Sequence, residues 1–575
     1  MNNLTKKIIA GTLALGLASG CCGCGHREVV PAQSRPTVHS GSPTPVEVTG
    51  GPVSPHLLEL ANLTVAPQYP EMPQYPRQED YPEYSQQFYD DEWQWRQDRR
   101  KLYVSSPENA HDLDAFMEEA MKQFLSGEDN QVCSPMNIYF ALAMLAQTTD
   151  GSSRQQILDA LNHSSIDSLK TQANQLWQAH YSNDGKTVSL LANSVWLDEQ
   201  YPFVQDTLDT LAKDYYASVF TGDLGTDEMN RQLAAWLDSQ TGGLLTDYTE
   251  NIQLDPSTAF ALASTVYFSA KWADEFHESS TTKELFHAKD QDIVTDFMHK
   301  TSLYHTYYEG EDFGAISLGL QDSHKMWLIL PNEGIDPSTL LKQGDYYDLI
   351  SHPGNWQQKN TLTVNLSLPK FDISGEQNLI PGLNAMGITD VCNPVTADYS
   401  PITSEPLYLD SAQHAARVSI DEEGVIAAAY TLMAACGSGI PEKQDEIDFI
   451  LDRPFLFVIT GEDDLPLFAG TVDQPLGQSE SIKKEYNLAI SGDPHLETYL
   501  VTDDLKSAYA PGEKVTIRLS TVTEHYYIVT VNGAELEMDL DASDLAYTYY
   551  TFTMPYEDVM VEIHQAGAAP MPVAP

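Results

Sequence analysis

Basic residues are scarce in this chain: 31 Lys and Arg stand against 83 Asp and Glu, for a formal net charge of −52 over 575 residues. A polyanion of this kind is repelled by phosphate backbones and anionic lipid, so no nucleic-acid partner is expected. Cysteine is sparse as well. Cys21, Cys22 and Cys24 cluster near the start, while Cys133, Cys392 and Cys436 stand alone, and an odd number of isolated cysteines argues against a disulfide framework. Cys133 and Cys392 sit in apolar contexts and read as buried thiols. The motifs of common catalysts are also missing: there is no G-x-S-x-G elbow, no histidine pair at metal-ligand spacing and no glycine-rich phosphate loop. No catalytic residue, metal or cofactor is therefore expected, which makes a hydrolase the weakest reading.

The most informative absence is local. From Gly424 to Pro441 the chain carries no charge, within the run SIDEEGVIAAAYTLMAACGSGIP that starts at Ser419. Alanine with Leu and Met favours a buried helix, and the length approaches that of a membrane span, although Gly, Ser, Thr and Ala are poor lipid anchors. A third reading is an exposed bait loop able to become a strand. The flanks favour it: strand-like AARVSI at 415–420 precedes the run, and PFLFVIT at 454–460 and PLFAGTV at 466–472 follow it. Cys436 falls inside this run, either as a small apolar bait residue or as a redox-sensitive thiol.

Glu422, Glu423, Gly424, Val425 and the alanines Ala427, Ala428 and Ala429 resemble the hinge that precedes the reactive loop of serpins. Other signatures recur in the same order. NQVCSPMNIYFALAMLAQTTDGSSRQQILDAL at 130–161 is similar to the family's Ser-Pro helix start and the helices after it. STVYFSAKW at 264–272 resembles the third strand of the central sheet, ending in Trp272 beneath the point where the loop enters. LSLPKFDISGEQNL at 366–379 supplies Lys370, the family's ion-pair partner for the loop-base glutamate, here Glu422. His414 matches the shutter histidine, with Ser134 as its neighbour. One departure stands out: where the family has Ser and Asn in the shutter, this chain has Asn137 and Ser264.

The resemblance spans roughly 108–477 and implies an α+β fold with about three β-sheets, eight to nine helices and an exposed reactive loop. It also implies a suicide-substrate inhibitor of serine proteases, with cysteine proteases as a secondary class, acting as a monomer through a covalent complex with its target. The family's spacing forward from Glu422 places the scissile bond in the region Cys436, Gly437, Ser438 and Gly439, suited to elastase- or subtilisin-like pockets. Counting back from the strand before Pro454 places it near Lys443, which would suit a trypsin-like enzyme. The first is preferred because it preserves the length of loop that must travel.

The ends of the chain suggest a setting. Lys6 and Lys7, an apolar run from Ile8 to Leu17 and then Ala18-Ser19-Gly20-Cys21 resemble a bacterial lipoprotein signal, with Ala18 where leucine is usual. Residues 1–20 are thus expected to be a cleaved signal peptide, Cys21 to be lipidated, and the product to face the exterior on a lipid anchor; an ordinary cleaved secretory signal is the alternative. Residues 21–107, rich in Pro, Tyr and Gln, read as a disordered stalk. After 477, residues 485–565 carry KVTIRLS, YYIVTVNG, TYYTFTMP and VMVEI with Pro511-Gly512 and Asn532-Gly533 turns, a small all-β module similar to those of bacterial surface proteins. Such a module keeps open a second reading, a non-inhibitory adhesion lipoprotein built on the same scaffold.

Overall fold

Helix 135–148 is apolar on every side, and a helix of that kind has to lie inside a core. Ser134 starts it, its Oγ accepting from the Asn137 amide at 3.2 Å with Pro135 in the first turn, and all its residues but Gln147 are buried. The structure is a computed structural model that describes residues 6–12, most of 62–104 and most of 113–568; Cys21 and residues 426–444 of the bait run lie outside the described residues.

Over this helix spreads a nine-stranded central sheet. Its strands are β1 (Lys6–Thr12), β2 (Leu63–Val65), β3 (Val188–Asp198), β4 (Ala217–Gly222), β5 (Thr258–Lys271), β6 (Phe371–Asn378), β7 (Leu407–Ile420) and β8 (Gly424–Val425), with Ser182–Asn183 paired to β3. The spatial order is β6, β7, then β8 and β1 sharing one position, then β5, β3, β4 and β2. β5 is buried almost throughout because both of its faces are covered. Val195, Leu262, Phe268 and Val418 face the main core, whereas Trp196, Phe220, Ala261 and Ala415 form a second cluster with Leu233, Trp236 and Leu237 of helix Asp227–Gln240.

β5 and β7 run in the same direction with one strand position between them. β8 fills one end of that position, antiparallel to both, and β1 fills the other end, parallel to both. The body's remaining strands form a single ten-stranded sheet. The expected third sheet is merged into it because the strand Asp292–Glu309 is long enough to pair with Thr282–His287, Lys359–Pro369 and Phe313–Gly319 in turn. Nine α-helices lie between Asp114 and Ala385 among the described residues, as the sequence led us to expect.

One expectation for the amino-terminal region needs correction, and it does not concern Lys6–Thr12, which pairs as a strand of the central sheet in the uncleaved chain. The stalk expected over 21–107 is structured from Asn62 to Val104, because its aromatics find partners on the body. β2 extends the sheet at β4, and the Gln68 amide donates to the Ala212 carbonyl. Tyr69 stacks on Trp177 and Tyr216 with ring centroids 5.5 and 6.0 Å apart. The helix Gln86–Val104 then buries Phe88 and Trp95, and Arg99 Nη1 donates to the Tyr181 carbonyl at 2.8 Å. Tyr69→Ala should therefore lower stability by about 2 to 3 kcal/mol, read as a shift of the urea unfolding midpoint without a change of slope.

The carboxy-terminal module is all-β as expected, with five- and two-stranded sheets around Tyr499, Val515, Ile517, Val529 and Val561. Asn532 and Gly533 both adopt positive φ, 49° and 86°, and join His525–Val531 to Ala534–Glu535, the hairpin geometry that an Asn-Gly pair favours. The module touches the body where the Tyr556 amide donates to the Lys283 carbonyl and Glu557 pairs with the Lys283 ammonium at 3.8 Å.

Candidate functional site: the base of the bait segment and the slot below it

The acidic turn 421–424 is built by its own first residue. Asp421 Oδ1 accepts from the amides of Glu423 and Gly424, closing the turn that sends the chain back toward β5. Gly424 has to be glycine: its φ is 156°, and a Cβ there would lie 2.4 Å from the Ala270 carbonyl oxygen and 2.6 Å from the Lys271 Cα. Trp272 holds the turn from below. Its indole donates to the Asp421 carbonyl at 2.8 Å, and its amide donates to the Glu423 carbonyl at 3.0 Å.

The pairing expected of Lys370 and Glu422 is present. Glu422 Oε1 lies 2.6 Å from Lys370 Nζ and accepts from Thr281 Oγ1 at 2.6 Å. Burial works to raise the pKa of this carboxyl, but the hydrogen bonds from Lys370 and Thr281 win and hold it below the ordinary glutamate value. Lys271 lies 3.8 Å from the half-exposed Glu423. The loop base is thus fastened by one buried pair and one surface pair.

Val425 follows, 2% exposed, opposite Ile420 of β7 and Ala270 of β5. The first two uncharged residues of the bait run therefore already lie as a strand at the top of the slot. Ala427, Ala428, Ala429, Cys436, Gly437, Ser438, Gly439 and Lys443 lie outside the described residues.

The floor of the slot is polar at one row. The Ser134 amide donates to His414 Nε2 at 2.9 Å, so the imidazole proton sits on Nδ1, and Ser134 Oγ donates to the Leu467 carbonyl at 2.6 Å. Asn137 Nδ2 donates to the Ser264 carbonyl at 3.1 Å. The exchanged residues of the shutter thus still bridge helix 135–148 to β5, through the backbone of Ser264. Two atoms there are buried with no hydrogen-bond partner among the described residues, His414 Nδ1 and Asn137 Oδ1. Both residues border the small cavity left between β5 and β7.

Burial pushes the His414 pKa down to about 4, so the ring is neutral at pH 7. A histidine whose folded pKa lies below its unfolded value of about 6.5 costs stability as pH falls, because the unfolded chain takes up the proton first. The effect begins near pH 6.5, grows down to about pH 4 and amounts to roughly 3 kcal/mol at its largest. His324, also pushed to about 4 by burial, adds a similar slope. His414→Gln should flatten the pH dependence of the melting temperature over that window by about half of the two-histidine contribution, measured against the parent chain.

Sequence reasoning located Glu422, Gly424, Val425, Lys370, Trp272, His414 and Ser134, and the structure brings these together as one unit at the loop base and slot. It missed Thr281, which carries no local signal. It also passed over Asp421, although an acid three residues before a glycine is a turn signal.

An α+β body of two large sheets, with a two-residue strand at Gly424–Val425 fastened between β5 and β7, defines a serpin-like fold. A family model for serpins, described as serine protease inhibitors, matches residues 112–475, and the chain belongs to that family. It is 29% identical over 358 residues to a serine protease inhibitor of Cyanea capillata, covering 60% of this chain and 93% of that protein. It is 28% identical to the leukocyte elastase inhibitor of Xenopus laevis, covering 57% and 89%. Among solved structures, the thermophilic serpin tengpin in its native state superposes with a TM-score of 0.57 at 26% identity, covering 64% of this chain and 94% of that one. These likenesses support a serpin-type protease inhibitor.

Proposed function

We propose that this chain is a suicide-substrate inhibitor of serine proteases, exported and held on the bacterial surface by lipid on Cys21. The observation that carries the reading is the pairing of Gly424 and Val425 between β5 and β7, which starts an antiparallel strand whose continuation is small and uncharged. A protease attacks the bait as substrate and forms an acyl-enzyme at the scissile residue. The freed segment then extends the strand already begun at Val425.

The register at Val425 supports this reading. Continued without a bulge, it would bring Thr431 between His414 and Ser264, Gly437 opposite Thr258 and Ser438 opposite Leu407. Alternation puts Ala427, Ala429, Thr431 and Met433 on the core side with Val425. No charge or proline interrupts this run, so neither burial nor the hydrogen-bond ladder is obstructed. A scissile bond at Gly437–Gly439 uses the full depth of the slot, whereas Lys443 would leave residues over. About fourteen residues at roughly 3.4 Å each carry the enzyme close to 50 Å. Compression against the body then spoils the oxyanion hole and stops deacylation.

β1 lies in the rows that Thr431–Gly437 would take, since it pairs with Thr258–Ser264 of β5 and Leu407–Gln413 of β7. Removal of residues 1–20 on export empties those rows. The test is incubation of the chain beginning at Cys21 with a panel of serine proteases. An adduct that survives boiling in detergent is expected with an elastase- or subtilisin-like enzyme; cleavage of the bait by every member with no adduct would refute the inhibitory reading.

A further inference from the structure

The strap formed by residues 62–104 meets the central sheet at a particular height. The Asn62 carbonyl accepts from Thr221, and Thr221 lies in one row with Leu197 of β3 and Phe260 of β5. By the register at Val425, that row is where Ala435 of an inserted bait would lie, two to four residues short of the acyl bond. The strap therefore starts at the pole opposite Trp272 and Gly424.

Laterally, β2 is four strand positions from the slot, about 19 Å at the usual inter-strand spacing. Along the strands, the acyl residue would lie roughly 10 Å beyond Asn62. A serine protease of about 230 residues has a radius of gyration of about 17 Å, so an enzyme linked there reaches the strap. The strap has the stiffness to act as a surface. Thr64 Oγ1 donates to the Val219 carbonyl, Tyr69 is stacked between aromatic rings, and Arg99 is buried against Tyr181. Asn62, Thr64, Ala66 and Gln68 present an exposed outer edge.

We propose that the outer edge of Asn62–Gln68 is part of the surface against which the captured acyl-enzyme is pressed, so that the enzyme is held beside the point where the tether joins the body. This rests on the inhibitory reading, and the experiment separates the two. The full chain, expressed with its leader so that the host processes it, carries a photo-crosslinking phenylalanine at exposed Thr64 or, at the opposite pole, at exposed Ala273. Each form is illuminated with an adduct-forming serine protease and with the same protease lacking its nucleophile. The inactive enzyme, which stays docked on the bait, should crosslink to position 273 about tenfold more than to 64, and the active enzyme should reverse that ratio. Adduct formation without crosslinking at 64 would overturn this inference and leave the inhibitor reading standing. Absence of any adduct would overturn both.

Discussion

Val425→Arg is expected to turn the inhibitor into a substrate: the bait is still cut, no boiling-resistant adduct accumulates, and more than ten molecules of inhibitor are consumed per protease silenced. Val425 is 2% exposed between Ile420 and Ala270, on the face of the sheet that meets the main core. A guanidinium there has no acidic partner on the neighbouring strands, and an unpaired buried charge costs several kcal/mol. The strand would then begin with its least tolerable residue, and water would reach the ester before the slot was filled. Val425→Ile keeps the volume and polarity and should retain adduct formation. Unchanged stoichiometry in the Arg variant, titrated against active protease, would show that the bait does not enter at β8.

The second large effect is expected deeper between β5 and β7. On the proposed insertion Thr431 would come to the row of His414 and Ser264 on the core side, where His414 Nδ1 and Asn137 Oδ1 are buried without partners among the described residues. A hydroxyl can serve both at once, accepting from the imidazole and donating to the amide oxygen. Thr431→Val has the same shape and leaves both groups unsatisfied, a penalty of about 1 to 3 kcal/mol on the inserted form. Adduct yield should fall severalfold, the cleaved form should melt lower, and Thr431→Ser should restore both. Equal melting temperatures for the cleaved Val and Thr forms would show that the hydroxyl finds no partner there.

Much of this site was legible through its resemblance to the serpin hinge, loop base and shutter, and the structure shows the local chemistry behind each. Gly424 is required by a close approach to backbone, Lys370 and Glu422 by complementary charge, and the helix after Ser134 by its cap and its apolar length. The strap was not legible, because Tyr69 and Arg99 are ordinary members of a proline- and tyrosine-rich tract until Trp177, Tyr216 and Tyr181 are set beside them. Composition speaks to whether a segment can build a core of its own, and this one borrows the body's. Similarly, Asn137 signalled a departure in the shutter, but its bond to a backbone carbonyl of Ser264 needed the strand in place. The fusion of two expected sheets into one followed from a single long strand, Asp292–Glu309, whose length has no sharp marker.

The strap begins at one pole, where Asn62 meets β4, and the carboxy-terminal module leans on Lys283, next to the Thr281 that holds the loop base at the other. The strap is thus fastened to the central sheet and the module to the ten-stranded one. Under the proposed anchoring and bait insertion, a pull on the module against the lipid-held end would pass through both sheets, and mechanical tension would become a variable in how readily the bait is taken up.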